Sequence, residues 1–336
     1  MIINCHTHIF SIEDVPREFR DRFFLDRKCA LHSFLRRQFC HLLPAQSRLK
    51  RWLELADLTI PEIADRLVEE MDEASVDLSL VLTMDMAFCE VYEGPVRDFE
   101  QQLAETRAAV DSINERTAKE RLIPFVAADP RRAGVETLVR DALSEGGFGG
   151  VKIYPPMGFL PDHKALYPIY DYCQEKRLPV TAHCQNGGIP GLQDYYHFAD
   201  PAHWKPVLEQ FPDLVLNLAH FDRLGSRWRR TIEALIKHHA WVFTDISYAL
   251  ELLYAPWHFA RTLHKLLEEP ATRSRILYGT DWYMGGCFWT ESSYQRKLRG
   301  KASGSDGTSF RLSSDEMHRL TDTNPRHFLA GSPDRF

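Results

Sequence analysis

The chain begins Met1-Ile2-Ile3-Asn4-Cys5-His6-Thr7-His8, and the reading of this stretch decides the fold. Side chains alternate faces along a strand, so two histidines one residue apart project to the same side and can converge on one small object. A divalent metal is the object that paired neutral imidazoles suit, with zinc, manganese and iron the usual ions. A strand holds the pair rigidly enough to leave coordination positions open for water. His-x-His also occurs on ordinary half-exposed strands, so the assignment depends on partners further along the chain.

Those partners need a scaffold that returns repeatedly to one place, and from Thr59 the sequence supplies one. Thr59-Ile60-Pro61-Glu62 has an N-cap, a proline in the first turn and a carboxylate at capping-box spacing, which predicts a helix to about Ala74. A strand over Val76 to Asp85 and a long helix over Val96 to Lys119 follow, then a strand over Leu122 to Asp129 and a helix near Gly134 to Ser144. Further strands are expected near Gly150-Tyr154, Pro179-Cys184, Leu214-Phe221, Ala240-Ile246 and Arg275-Thr280, each separated by a helix-length amphipathic stretch. With the opening strand this makes eight strands alternating with helices, an α/β chain that closes most economically into a (β/α)8 TIM barrel spanning 1–336 as one domain.

Two segments depart from the alternation. Between Ser11 and Leu58 lies a basic insertion, helical in pattern, in which arginines such as Arg20, Arg27, Arg36 and Arg48 interleave with Phe23, Leu31, Phe34 and Leu42. It reads either as amphipathic surface helices or as a lid whose arginines reach an anionic substrate. Gly300 to Thr308 reads as a loop, and the chain closes on a helix from about Ser314 that breaks near Asn324-Pro325 and packs Phe328 and Leu329 back on the barrel.

The 336 residues suffice for a large core, and 44% hydrophobic with 26% charged residues is the balance of a globular enzyme. A net charge of −6 argues against nucleic acid as the main partner, and no apolar run approaches a membrane span. Met1-Ile2-Ile3 is unlike a secretory signal. The seven scattered cysteines contain no Cys-x-x-Cys pair, which points to a reduced, cytoplasmic setting. A small-molecule substrate is the expected partner, with self-association left open.

In a parallel barrel, chemistry sits at the C-terminal strand ends. The fourth strand ends Lys152-Ile153-Tyr154, the fifth at His183, the sixth at His220 and the eighth at Asp281. With His6 and His8, five independent strand ends carry metal-type or charged residues.

This arrangement resembles the amidohydrolase superfamily over the whole chain apart from the 11–58 insertion. The closing Asn324-Pro325-Arg326-His327-Phe328-Leu329 is similar to the terminal helix of the branch containing aminocarboxymuconate-semialdehyde decarboxylase. The resemblance implies that His6, His8, His183 and Asp281 hold the catalytic metal, and that Lys152-Ile153-Tyr154-Pro155 looks like the dihydroorotase strand whose lysine becomes a carbamate bridging two metals.

The chemistry that follows is expectation. Three histidines and a carboxylate leave a divalent ion, zinc first and a single ion favoured, enough charge to lower the pKa of bound water and yield a hydroxide nucleophile. Asp281 would take the nucleophile's proton. His220 would polarise the scissile carbonyl, serve as a ligand, or orient its neighbours. Lys152 would point away, bind an anionic substrate, or carry a carbamate and with it a second ion. Arg223 and Tyr154 are assigned to substrate binding, Arg223 by gripping a carboxylate or else lying in a rim ion pair with Asp222 or a lid acid. The reading is a hydrolase of an amide, lactone or ester bond. A nonoxidative decarboxylase of an unsaturated or aromatic acid, and a non-catalytic metal-binding barrel, are the alternatives.

Overall fold

The computed structural model describes residues 1–17, 54–55, 57–89, 91, 93–189, 191–222, 225–286, 288–304 and 309–330. Its strands β1 (Ile3–Thr7), β2 (Leu78–Leu82), β3 (Leu122–Ala127), β4 (Gly150–Ile153), β5 (Val180–His183), β6 (Leu216–Ala219), β7 (Val242–Asp245) and β8 (Ile276–Leu277) pair in sequence order, all parallel. The end of β8 returns to β1. Cys5 N donates to Tyr278 O at 2.8 Å and Asp281 N to His6 O at 3.0 Å, which closes the sheet into the expected barrel. Helices α1 (Ile60–Ala74), α2 (Phe99–Thr117), α3 (Val135–Ser144), α4 (Tyr167–Lys176), α5 (Lys205–Gln210), α6 (Arg227–His238), α7 (Pro256–Glu268) and α8 (Glu291–Arg299) follow the strands one for one.

Local sequence explains the helix limits. Glu62 accepts from Thr59 N at 2.8 Å and from its hydroxyl at 2.7 Å, fixing the start of α1, while Ile60, Ile63, Ala64, Leu67 and Met71 form its buried stripe. Helix α2 begins at Phe99 rather than Val96 because Asp98 caps it, accepting from Gln101 N at 2.8 Å, and Val96 is left 78% exposed.

Strand side chains pointing outward pack under the helices in one large cluster, while those pointing inward form a second, smaller core. Ile3, Cys5, Leu78, Leu80, Phe125 and Phe243 fill the lower barrel interior, and Phe328 closes it from below, its ring 5.4 Å from that of Phe243. Strand β8 is shorter than expected because its neighbours bond elsewhere: Tyr278 N donates to Leu320 O, and Asn324 Nδ2 donates to Ile276 O at 2.8 Å. The closing segment does not break at Asn324-Pro325 as expected: Ser314–His318, a π-helical turn over Arg319–Thr323 and Asn324–Leu329 follow one another without interruption, and the wider π turn accommodates Pro325, which has no N–H to donate.

One feature of β1 departs from simple alternation. Asn4 pairs with Ser79 but Thr7 pairs with Val81, so three steps on β1 match two on β2 and a bulge lies between. Ile3 and Cys5 therefore face the lower core, Asn4 faces outward, and His6 and His8 again face inward. Strict alternation would have put His6 on the face opposite Cys5.

Residues 18–53, which carry most of the expected lid or surface helices, lie outside the described residues, as do 305–308. Ala302–Ser303, inside the stretch expected to be a loop, pairs with Ser309–Phe310 just beyond it as a short antiparallel ladder. Among the described residues no helix is long and apolar enough to cross a membrane.

Candidate metal centre

A narrow cavity of about 80 Å³ opens at the C-terminal mouth of the barrel, and His6, His8, Lys152, His183, His220 and Asp281 all line it. Tyr154, Met84 and Tyr248 form part of its less polar wall. The sequence-selected residues of five strands are thus brought together.

Hydrogen bonds fix which nitrogen each histidine offers. His8 Nδ1–H donates to Leu82 O at 2.7 Å, and His6 Nδ1–H donates to Asp245 Oδ2 at 3.0 Å, so both rings turn an Nε2 lone pair to the cavity. Asp281 Oδ1 lies 3.2 Å from His8 Nε2 and 3.5 Å from His6 Nε2. His220 Nδ1–H donates to Ser247 Oγ at 2.9 Å. His183 is oriented the other way: its Nε2–H donates to Gly187 O at 2.8 Å, which leaves the lone pair on Nδ1. Among the described residues, His6 with His8 and Asp281, and His6 with His220 and Asp245, form groups whose ligand atoms lie within 4.8 Å of one another; His183 enters neither.

Charge reinforces this geometry. Burial, helped by Lys152, brings the His6 pKa down to about 3. Burial likewise lowers His183, with His220 adding to it, and lowers His220 against the pull of Asp281 and Asp245. These three rings are neutral and available as ligands at ordinary pH. Burial alone would raise Asp281, but the close approach of His8 and the nearby His6 and His220 hold it below the usual carboxylate range, so it is ionised. Burial also lowers Lys152 to about 8 against the attraction of Asp281 and Asp245, and its Nζ lies 3.5 Å from His6 Nε2. Lys152 therefore points into the site, and one of its three expected fates is removed.

The residue that sequence reading missed is Asp245, at the end of β7 and fully buried. It accepts from His6 Nδ1, from Asn217 Nδ2 at 2.7 Å, from His220 N at 3.1 Å, from Ser247 N at 2.9 Å and from the Ser247 hydroxyl. Despite its burial these contacts hold it well below the usual carboxylate range. Gly279 leaves room for the cluster, since a Cβ there would stand 3.0 Å from that of His6 and 3.2 Å from that of Ser247. The signal for Asp245 was its place at a strand end, the same signal used for the other five. Not every strand-end acid belongs to the site: Asp85, after β2, is held by Arg132 at 2.7 Å and does not line the cavity.

Tyr154 stands beside His183 with ring centroids 4.6 Å apart, and its hydroxyl accepts from Ile189 N at 3.3 Å. Gly188 makes this possible: its φ of +145° suits glycine, and a Cβ would come within 2.5 Å of the Tyr154 hydroxyl. Backbone strain marks the two strand ends nearest the charges, since His220 and Asp281 take left-handed φ values of 78° and 57°. Arg223, expected to grip a carboxylate, lies outside the described residues.

The donor set fits a divalent ion. Neutral imidazoles and an ionised carboxylate converge, and the far nitrogens of His6 and His8 are tied to a carboxylate and a carbonyl, the outer-shell pattern that fixes ligating histidines.

A TIM barrel whose mouth gathers histidines and aspartates suited to a divalent metal defines the class of protein. The family model described as Amidohydrolase matches residues 3–330, and the chain belongs to that family. Among curated proteins none matches it. Solved structures that it resembles include 4-oxalomesaconate hydratase from Rhodopseudomonas palustris, with TM-score 0.57 and 14% identity, covering 98% of this chain and 96% of that one. A probable 2-pyrone-4,6-dicarboxylic acid hydrolase from Acinetobacter baumannii, with citric acid bound, gives 0.57 at 12% identity, covering 98% and 99%. An amidohydrolase from Burkholderia multivorans with bound zinc gives 0.56 at 12%, again covering 98% and 99%.

Proposed function

We propose that the protein is a metal-dependent hydrolase of an amide, lactone or ester bond in a small anionic substrate. The observation that carries the reading is the convergence of His6 Nε2, His8 Nε2 and the ionised Asp281 at the cavity mouth. His6, His8 and Asp281, with His183 and His220 beside them, would hold a single divalent ion, and the imidazole-rich set favours zinc. Such an ion supplies Lewis acidity and a lowered water pKa. Asp281, kept as a carboxylate, takes the proton of the attacking water and hands it to the leaving atom. Lys152, the one buried cation lining the cavity among the described residues, offers an anionic substrate its electrostatic anchor, with Tyr154 also lining the cavity. Arg223 is assigned a carboxylate grip. Cys5, Cys173 and Cys184 are free of disulfides, which supports a reducing, cytoplasmic setting.

The structural neighbours named for pyrone-dicarboxylic acid hydrolysis and oxalomesaconate hydration suggest the first panel: lactones, esters and amides of small polycarboxylic acids. Turnover of the zinc-loaded protein in oxygen-18 water is expected to place label in the product carboxylate. Release of carbon dioxide with no label in the product would overturn the reading in favour of decarboxylation.

A further inference from the structure

We propose that Glu291, on the outer side of the barrel wall, is a positioning residue for the site: through Asn4 it holds the β1 bulge that aims His6 and His8 inward. The bulge takes β1 out of step with β2, and the His6 amide donates to Asn4 Oδ1 at 3.1 Å. The same oxygen accepts from Thr280 N at 3.3 Å. A side-chain carbonyl can serve two backbone amides only if its amide plane is fixed, and its own nitrogen fixes it. Asn4 Nδ2 donates to Thr280 Oγ1 at 2.7 Å and to Glu291 Oε2 at 3.0 Å. Thr280 Oγ1 donates to the same carboxylate oxygen at 2.9 Å, and the Tyr278 hydroxyl donates to the other at 2.5 Å.

Asn4, Tyr278, Thr280 and Glu291 are all buried, so water does not compete for these bonds. The carboxyl group is itself anchored, because Glu291 opens α8 behind the Thr290 cap and its amide donates to Glu70 Oε2 at 3.1 Å. One carboxyl group thus joins Asn4, two residues before His6, to Thr280, one residue before Asp281. The strands that bring His6, His8 and Asp281 together are locked in mutual register from outside the cavity.

The variants are Glu291→Ala, which removes the carboxyl group that accepts from Asn4, Thr280 and Tyr278, and Asn4→Ala. Leu298→Ala, which removes an apolar contact of α8 and leaves Asn4 untouched, is the control for simple loss of packing. In metal-free protein, hydrogen exchange at the His6 amide is expected to speed up at least about tenfold beyond the change at Leu218 in β6, because local opening is then uncoupled from global unfolding. Cobalt(II) affinity, measured by chelator competition, is expected to fall about 10- to 100-fold, the usual cost of losing outer-shell support. Leu298→Ala is expected to lower the unfolding midpoint while moving neither quantity. The inference fails if the Glu291 variant shifts His6 exchange and cobalt affinity no more than Leu298→Ala does, whatever Asn4→Ala does. Its second readout rests on the metal-site reading. Absence of cobalt binding in the wild type would sink that reading, and the exchange measurement would still decide this one.

Discussion

The lower and upper halves of the barrel interior are built by the same strands and share almost no chemistry. Below, Ile3, Cys5, Leu80, Phe125 and Phe243 pack against Phe328, which stoppers that end. Above, His6, His8, Lys152, His183 and Asp281 surround a cavity. On β1 the change from one regime to the other takes a single residue, Cys5 to His6, across a bulge. Apolar packing needs no orientation beyond fit, so the lower half is held by volume alone. Each buried polar group above needs a partner, so that half is held by directed bonds, and Asp245 alone accepts five of them. The contrast assigns stability to one end of the barrel and reactivity to the other.

The strongest test acts on the upper half. Asp281→Asn keeps the size of the side chain and one oxygen but loses proton-accepting power, so kcat is expected to fall by about three orders of magnitude while the unfolding midpoint barely moves. Turnover within a few-fold of wild type would place the base elsewhere.

The second test acts on the lower half. Phe328→Ala should cost about 3–5 kcal/mol in urea unfolding by opening a cavity in the apolar stopper, while zinc content by elemental analysis stays at the wild-type level. Metal loss in that variant would show that the two halves are coupled and break the contrast.

The third and smallest test concerns the wall behind the transition. Burial, reinforced by nearby Glu70, raises the Glu291 carboxyl from 4.5 to about 7. Between these values the folded chain keeps a proton that the unfolded chain has released, so this contribution is full below pH 4.5 and is lost as pH climbs through 7. The loss is about 3 kcal/mol in all. Unfolding free energies at pH 5 and pH 7.5 should differ less in Glu291→Gln than in wild type. An identical pH slope in the two proteins would remove Glu291 from the account.

The fold was legible because β2 (LSLVL) and its counterparts are covered on both faces and read as short apolar runs between amphipathic helices. The ligand candidates were legible because a polar side chain at the end of such a run has little structural reason to be there. Asp245 escaped because the expected seventh strand ran on to Ile246, which puts the acid inside the strand, whereas β7 ends at Asp245, and its partners Asn217 and Ser247 come to it only in the fold. The bulge escaped for a different reason. Ile3, Cys5, His6 and His8 all face inward, and no rule of alternation reveals the skipped step, which is paid for by Asn4 and side chains some 275 to 290 positions away. Arg223, chosen from its place after His220, has no structural description to meet.

The way the barrel shuts also bears on how the chain reaches this state. The seam joins residues near the start of the sequence, Asn4 and Cys5, to Tyr278 and Thr280, while Tyr278 N donates to Leu320 O and Ile276 O accepts from Asn324 Nδ2. Contacts separated by so much chain form late, because a long loop must be closed before they return any free energy. During synthesis, the first seven strands can assemble while the histidine strand still lacks one neighbour, and the seam can form only after Asp281 has emerged. An incomplete barrel presents unpaired strand edges at both sides of the gap until then, which makes this stage the one most exposed to misassociation.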